Sequence, residues 1–239
     1  MRDVVGSTAE EKRLVTAIQR KLGIVDNGWI GTQTLSSIAQ RLGADCFPIS
    51  LTIYGQPCII SRGIVACNPN APLRDFQYAI SGSFSYQSKP CSILVNNGET
   101  VGASACHAWL KQPESVLYRT DDGRTGIKRY LFASELPQDT VWAVGGLGLL
   151  DNYDPAAEGF TGSYSDVLRR TNHTVLGVKD GWCYLCYLKS KTGAEVNAFC
   201  RDKLMLDYAV MLDGGHVAAI NGETQINVAQ RQYYIIQGV

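Results

Sequence analysis

Tyr208-Ala209-Val210-Met211-Leu212-Asp213-Gly214-Gly215-His216-Val217-Ala218-Ala219-Ile220-Asn221-Gly222 is the stretch on which the reading of this chain turns. An apolar run, Tyr208 to Leu212, stops at Asp213 and a glycine pair, and a second short apolar run reaches Ile220. About four to eight apolar residues with β-branched members, ended by glycines, predict a buried strand running into a tight turn. A carboxylate at the end of such a strand is costly to desolvate unless it is hydrogen-bonded, paired or catalytic. The paired glycines carry no side chains, so backbone N–H groups can approach a ligand closely, as at anion and sugar-phosphate sites. The competing reading is a hairpin in which Asp213 caps its own turn.

Composition narrows the classes. The chain has 239 residues, enough for one large domain or one large and one small. Hydrophobic residues make up 45% and charged residues 18%, the balance of a folded protein rather than a disordered one. The formal net charge is zero, which removes any electrostatic case for nucleic acid or an acidic membrane surface. No run of about 18 apolar residues occurs, so no membrane span is expected. The first residues lack the apolar core of a signal peptide. The expectation is a protein made in the cytoplasm that stays there, or that reaches the cell wall after lysis, through a holin or in a phage particle.

Eight cysteines are too sparse for a disulfide scaffold of this size, and buried free thiols are the default. Cys183 and Cys186 have C-x-x-C spacing, but no second pair and no nearby His completes a zinc site. The surrounding W-C-Y-L-C-Y-L reads instead as a buried strand. Cys106 and His107 are adjacent, and strand neighbours point to opposite faces, so they make a poor nucleophile and base.

Near the start, Ser7-Thr8-Ala9-Glu10-Glu11 offers two overlapping capping boxes, predicting a helix. Leu14, Ala17, Ile18 and Leu22 form one apolar stripe, closed by Gly23. Asp26-Asn27-Gly28 is a turn signal, and Leu35, Ile38, Ala39 and Leu42 form a second stripe after a Thr32 cap. These residues resemble the small helical peptidoglycan-binding domain of cell-wall amidases and phage endolysins. The match runs through Ile18-Gln19-Arg20-Lys21-Leu22-Gly23, Asp26-Asn27-Gly28-Trp29-Ile30-Gly31 and Thr34-Leu35. It implies docking onto peptidoglycan or wall glycan through Asp26, Asn27, Gly28 and Trp29. Ile18 stands where the family has Leu, and Ser37 where it often has Ala.

Strand periodicity takes over at residues 43 to 48. Ile49-Ser50-Leu51-Thr52-Ile53 alternates, Cys58-Ile59-Ile60 and Gly63-Ile64-Val65 follow, and Asn96-Asn97-Gly98 is a hairpin signal. Val141 to Leu150 is a glycine-rich apolar run without the helix or later acidic partner of a dinucleotide site. Residues 195 to 206 have helical spacing. The expected fold is α+β: a small helical N-terminal module, residues 1–45, plus a larger mixed β-sheet domain with few helices, residues 46–239.

The order of pieces in the larger part resembles the phosphodiester glycosidase family. That family runs N-G-G-F-F, then G-G-P-x-L, then R-T-A-I-G, then L-D-G-G-G-S-S. Here Ser81-Gly82-Ser83-Phe84, Gly145-Gly146-Leu147-Gly148-Leu149, His173-Thr174-Val175-Leu176-Gly177 and Leu212-Asp213-Gly214-Gly215-His216 align with those four. Ser81 stands in place of Asn, His173 in place of Arg, and His216-Val217-Ala218 in place of Gly-Ser-Ser. Arg169-Arg170-Thr171 offers a rival register for the third of these. The His173 register keeps the spacing to Gly177 and to Asp180-Gly181.

Two of the three histidines thus fall at motif positions. If the strand ends converge, Asp213, His173 and His216 share one pocket, Asp213 stabilising oxocarbenium charge and the imidazoles and glycine N–H groups handling the departing phosphate. Ser81, Gly82, Ser83, Thr174, Gly214 and Gly215 are the expected substrate contacts. No cofactor is assigned, and a divalent metal held by His and Asp is the alternative these residue types leave open. The function expected is a wall-targeted, endolysin-like hydrolase of a glycosidic or sugar-phosphodiester bond in envelope glycan. The alternative, motivated by the three altered positions, is a glycan- or sugar-phosphate-binding protein that has lost its chemistry.

Overall fold

The computed structural model describes residues 9–24, 48–86, 89–104 and 112–239, together with positions 26, 28, 34, 37 and 38. One antiparallel sheet organises them. Its main path runs Ile49–Ile53, Gln56–Ser61, Trp182–Lys191, Thr171–Lys179, Tyr208–Gly214, Thr140–Gly148, Glu114–Thr120 and Thr125–Tyr130. Thr140–Gly148 forks: Trp142 to Val144 also pair with Leu94–Asn96, while Leu147 and Gly148 pair with Met211 and Val210.

A smaller sheet of Gln225–Ile226, Ile220–Asn221, Ala79–Ser81, Ile235–Gly238 and Ile64–Cys67 packs on one face. Ile64, Ile80 and Ile236 of the small sheet share a core there with Leu176, Val210 and Leu212 of the large one. The opposite face is covered by Phe84, Phe160 and the helix Gly193–Phe199, which meet Val175 and Met211. Successive strand residues alternate between faces, so Val210 and Leu212 enter one core and Ala209 and Met211 the other. Burial on both faces is why this strand reads as an unbroken apolar run. The same alternation sends Cys183 and Cys186 into different cores, so they cannot share a metal. Both thiols are free, and burial pushes Cys183 up to about 12.

The expected α+β division is corrected by this architecture, which is mainly β. Among the described residues the α-helices are Ala9–Leu22 and Gly193–Phe199. The stripe predicted for the first helix faces outward: Leu14 is 63% and Ile18 38% exposed. Its buried positions are Val15 and Gln19 instead. The Gln19 amide accepts from Gly28 N (2.9 Å) and donates to Thr34 Oγ1 (2.9 Å), a polar clasp that periodicity of apolar residues cannot report. The capping box found at the other helix joins Thr192 and Glu195, and that helix passes at Cys200–Leu204 into a π-turn ended by Met205 at φ +52°. The helical span is therefore 193–204, shifted toward the N-terminus from the 195 to 206 expected and only partly α-helical. Cys46, Cys106, His107 and most of the second expected helix lie outside the described residues.

The glycine-rich run is strand Thr140–Gly148, and its glycines mark close approaches. A Cβ on Gly145 would stand 2.6 Å from the Glu114 carboxyl carbon, and one on Gly148 2.4 Å from Ser115 Oγ. On Gly146 it would meet the Met211 carbonyl oxygen at 2.6 Å, a backbone atom that cannot swing away. Gly146→Ala is expected to cost about 1–3 kcal/mol through overpacking against the Asp213-bearing strand. Denaturant unfolding of the variant checks this, and unchanged stability would show that the two strands separate freely.

Candidate functional site

The strand Tyr208–Gly214 ends against the small sheet. Asp213 N donates to Gly82 O (3.1 Å), and Ala219 N donates to Ser81 Oγ (3.0 Å) while Ser81 N donates to Ala219 O (3.0 Å). The Thr174 hydroxyl lies within bonding distance of Ser81 O (3.0 Å) and Asp213 O (3.1 Å). After Gly214 the chain leaves the large sheet, and Ile220–Asn221 joins the small one. The quoted stretch is therefore a crossover between sheets and not a hairpin.

A cavity of about 270 Å³ opens at this crossover, lined by Asp213, Gly214, Gly215, His216, His173 and Arg169 among others. Asp213 is half-buried, and its Oδ1 accepts from Gly214 N at 2.8 Å. His216 is exposed on the turn. His173 sits between two register shifts, one against each neighbouring strand, and bulges of this kind re-aim side chains. Its register partner is Gly214. A Cβ there would stand 3.1 Å from His173 Nδ1, so the bare glycine makes room for the ring.

The structure separates the expected residues into two groups. Asp213, His173, His216, Gly214 and Gly215 line the cavity. Ser81, Gly82 and Thr174 do not; they form the knot beneath it, Gly82 N donating to Tyr234 O at 2.8 Å. Ser83 donates to Gly145 O and lines a neighbouring hollow. The glycine amides are engaged within the protein, Gly214 N with Asp213 and Gly215 N with Asn172 O (2.8 Å). His173 is 1% exposed and its Nε2 lies 2.8 Å from Lys191 O. Burial holds it below the ordinary imidazole value, against carbonyl oxygens that favour its proton.

Arg169, the first residue of the upstream Arg169-Arg170-Thr171 stretch, lines the cavity, with Nη2 4.0 Å from where a Cβ on Gly215 would stand. A guanidinium thus reaches this pocket from a position four residues before the expected one. The neighbouring hollow, about 220 Å³, shares Ser85, Asp213, His216 and Val217 with the first. Its far wall is Gln230, Arg231, Gln232 and Tyr233. Nothing in Q-R-Q-Y-Y sets those residues apart in the sequence. A hollow of about 490 Å³ beside Phe132 and Leu136 has no ionisable side chain on its wall and offers no such chemistry.

For the peptidoglycan contacts, Asp26 pairs with Arg20 at 2.6 Å, an exposed ion pair, and Gly28 adopts φ +74°. Asn27 and Trp29 lie outside the described residues. Among the described residues the one group of metal-ligand type is the largely exposed Asp121, Asp122 and Asp139, away from the cavity. Arg124 pairs with Asp122 and Asp139 there. His173 Nε2 faces a carbonyl, so the Asp213 cavity does not present a three-residue metal set.

Two carboxyls were not anticipated. Glu114 and Glu158 are both fully buried. Glu114 accepts from Ile93 N (2.6 Å), and Glu158 accepts from Ser115 N (2.9 Å) and Ser115 Oγ (2.8 Å), with Arg129 Nε at 3.5 Å. Burial pushes both above the ordinary carboxyl range.

No family model and no curated protein sequence matches this chain. Solved structures do. One is the catalytic domain of zebrafish N-acetylglucosamine-1-phosphodiester alpha-N-acetylglucosaminidase, auto-inhibited by its pro-peptide. It has a TM-score of 0.55 and 13% identity over 80% of this chain and 81% of that one. Another is a hypothetical protein from Synechocystis, with a TM-score of 0.52 and 12% identity over 80% of this chain and 61% of that one. What is shared is the fold. The phosphodiester glycosidase-like reading is supported at that level, whereas the peptidoglycan-binding resemblance of residues 1–45 finds no support. No described helix is long and apolar enough to cross a membrane.

Two measurements follow from this geometry. Thr174→Val leaves two buried carbonyls without their hydroxyl and should cost about 1–3 kcal/mol, read by chemical denaturation. Burial raises the Glu114 carboxyl in the fold well above its unfolded value near 4.5. Its contribution to stability is therefore full below that value and is lost as pH rises through the raised native one. Glu114→Gln should remove this loss, so its melting temperature relative to the parent climbs as pH rises. A constant difference from acid to alkaline pH would show Glu114 to be ionised in the fold.

Proposed function

We propose that this chain hydrolyses a sugar-phosphodiester or glycosidic bond at the cavity around Asp213. The observation that carries the reading is one pocket wall combining a carboxylate, an exposed imidazole and a guanidinium, on a fold similar to a phosphodiester glycosidase domain. Asp213, its Oδ1 fixed by Gly214 N, stabilises positive charge at the anomeric carbon as the glycosyl C–O bond breaks. The bonding pair leaves on the phosphate oxygen, which Arg169 neutralises and His216 protonates. Water supplies the hydroxyl at the anomeric carbon, and its proton returns to the imidazole. His173, buried and bonded to Lys191 O, positions the Asp213 strand and takes no part in proton transfer.

A wall glycan as the source of that bond, reached after lysis, is the narrower form of the proposal. It draws only on the resemblance of residues 1–45, and failure of the full chain to sediment with purified murein sacculi removes it. A second reading is a sugar-phosphate-binding protein without turnover. The engaged glycine amides and the locked His173 favour it, since neither is available to a departing phosphate.

Release of free sugar from glycosyl phosphodiesters and p-nitrophenyl glycosides separates the readings. Asp213→Asn should lower turnover at least about 10²-fold and His216→Ala about 10²–10⁴-fold, both folded as judged by circular dichroism. Parental turnover in both variants would remove the assignment. Tight binding by the parent with no turnover would establish the second reading.

A further inference from the structure

Three of the described cysteines meet in one core. Cys58, Cys186 and Cys200 are free thiols, each at most 1% exposed, packed in the cluster that covers the Val175 and Met211 face of the large sheet. Two of them also oppose each other across a strand boundary. In the antiparallel pairing of Gln56–Ser61 with Trp182–Lys191, Cys186 is the register partner of Cys58. Residues directly opposite in such a pair have Cα atoms about 4.5 or 5.5 Å apart, and a disulfide spans about 4.4–6.8 Å. Either kind of position therefore suits a bridge without movement of the backbone. Register partners share a face, and the two thiols are hydrogen-bonded to each other. Cys200 is close enough to act electrostatically on Cys186, but it opens the π-turn and opposes no strand residue.

The place of the pair in the sheet gives a bond there a definite effect. Among the described residues, Ile49–Ile53 is an edge strand whose sheet neighbour is Gln56–Ser61. The hairpin Ile49–Ser61 joins the rest of the large sheet through four register pairs, from Cys183 with Ser61 to Cys186 with Cys58. Cys58 and Cys186 thus close one end of a short seam, and seams at a sheet edge open at a smaller cost than central ones. Burial keeps solution oxidants from both sulfurs while the seam is shut. It also pushes the Cys186 thiol well above its ordinary value, which leaves little of the reactive thiolate.

We propose that Cys58 and Cys186 are a dithiol–disulfide pair whose oxidation staples the edge hairpin Ile49–Ser61 to Trp182–Lys191. The oxidant is a low-molecular-weight disulfide such as oxidised glutathione. One cysteine, as thiolate, attacks it, releasing one small thiol and leaving a mixed disulfide. The other cysteine then attacks the protein sulfur of that mixed disulfide, and the second small thiol departs. Two electrons and two protons pass to the small disulfide, and the protein gains the S–S bond that the oxidant loses. The exchange runs while the hairpin is open, during folding or local unfolding, and the closed sheet then shields the product. It is independent of any chemistry at Asp213.

The full chain is refolded in oxidised or in reduced glutathione, and remaining thiols are alkylated before chymotryptic mapping by mass spectrometry. Cleavage at Tyr54 parts Cys46 from Cys58, and cleavage at Tyr184 parts Cys183 from Cys186. The oxidised protein should yield the link between Cys58 and Cys186 and melt about 5–10 °C above the reduced one. Cys58→Ala and Cys186→Ala should each abolish that gap, whereas Cys183→Ala, in the other core, should keep it. A link from Cys58 or Cys186 to any other cysteine overturns the pairing. So does alkylation of both after oxidation, or a gap that survives Cys58→Ala. Where a variant fails to fold, the map of the parent decides alone.

Discussion

The hydroxyls of Ser81 and Thr174 lie 3.3 Å apart, buried where the two sheets meet. Between them they engage the carbonyl of Ser81, the carbonyl of Asp213 and the amide of Ala219. Two sheets packed face to face can slide, because apolar contact is non-directional. A buried hydroxyl pair cannot slide without leaving polar groups unsatisfied, which costs more than the bonds themselves contribute. That asymmetry holds the end of Tyr208–Gly214 at one place relative to Gly82 and the 214–219 crossover. Both hollows at the crossover are spaces left around this fixed point.

How much of this could be read beforehand depends on the kind of residue. Strands whose faces are both buried announce themselves as apolar runs, and Tyr208–Gly214 and Trp182–Lys191 were read that way. Asn97-Gly98 forms the turn its chemistry demands, at φ +50° and +78°. Asp213 stood out as a carboxylate ending an apolar strand. Ser81 and Thr174 stand out by motif position, and their buried hydroxyls bridge backbone groups, which in sequence looks like a hydroxyl awaiting a ligand. The helix Ala9–Leu22 misled for a related reason, because its inward face is anchored by an amide and not by its leucines. Arg169 was visible only beside a rejected register, whose R-T pair is Arg170-Thr171, and it is Arg169 that lines the cavity. Gln230 to Tyr233 reach the cleft by topology alone, which no local pattern encodes.

The glycines of Thr140–Gly148 and the carboxyls of Glu114 and Glu158 are a matched set. Gly145 leaves space for one carboxyl and Gly148 for the serine that holds the other. Burying two acids is unfavourable unless donors are supplied or the protons are kept. Here backbone amides from Ile93, Ser115 and Gly148 are turned toward the oxygens, and burial raises both carboxyls above their ordinary range. The glycine motif is therefore read most economically as a mould for these acids, one layer removed from the cleft.

Ile235–Gly238 lies between Ala79–Ser81 and Ile64–Cys67, strands that precede it by more than a hundred and fifty positions. The smaller sheet thus cannot close while the chain is being synthesised until residues 235–238 have left the ribosome. Until then Ile64, Ile80 and the inward row of the larger sheet have no cover. Non-local closure of this kind is slow and leaves sticky intermediates. Closure of the smaller sheet is therefore a late, long-range step that waits on the strand Ile235–Gly238.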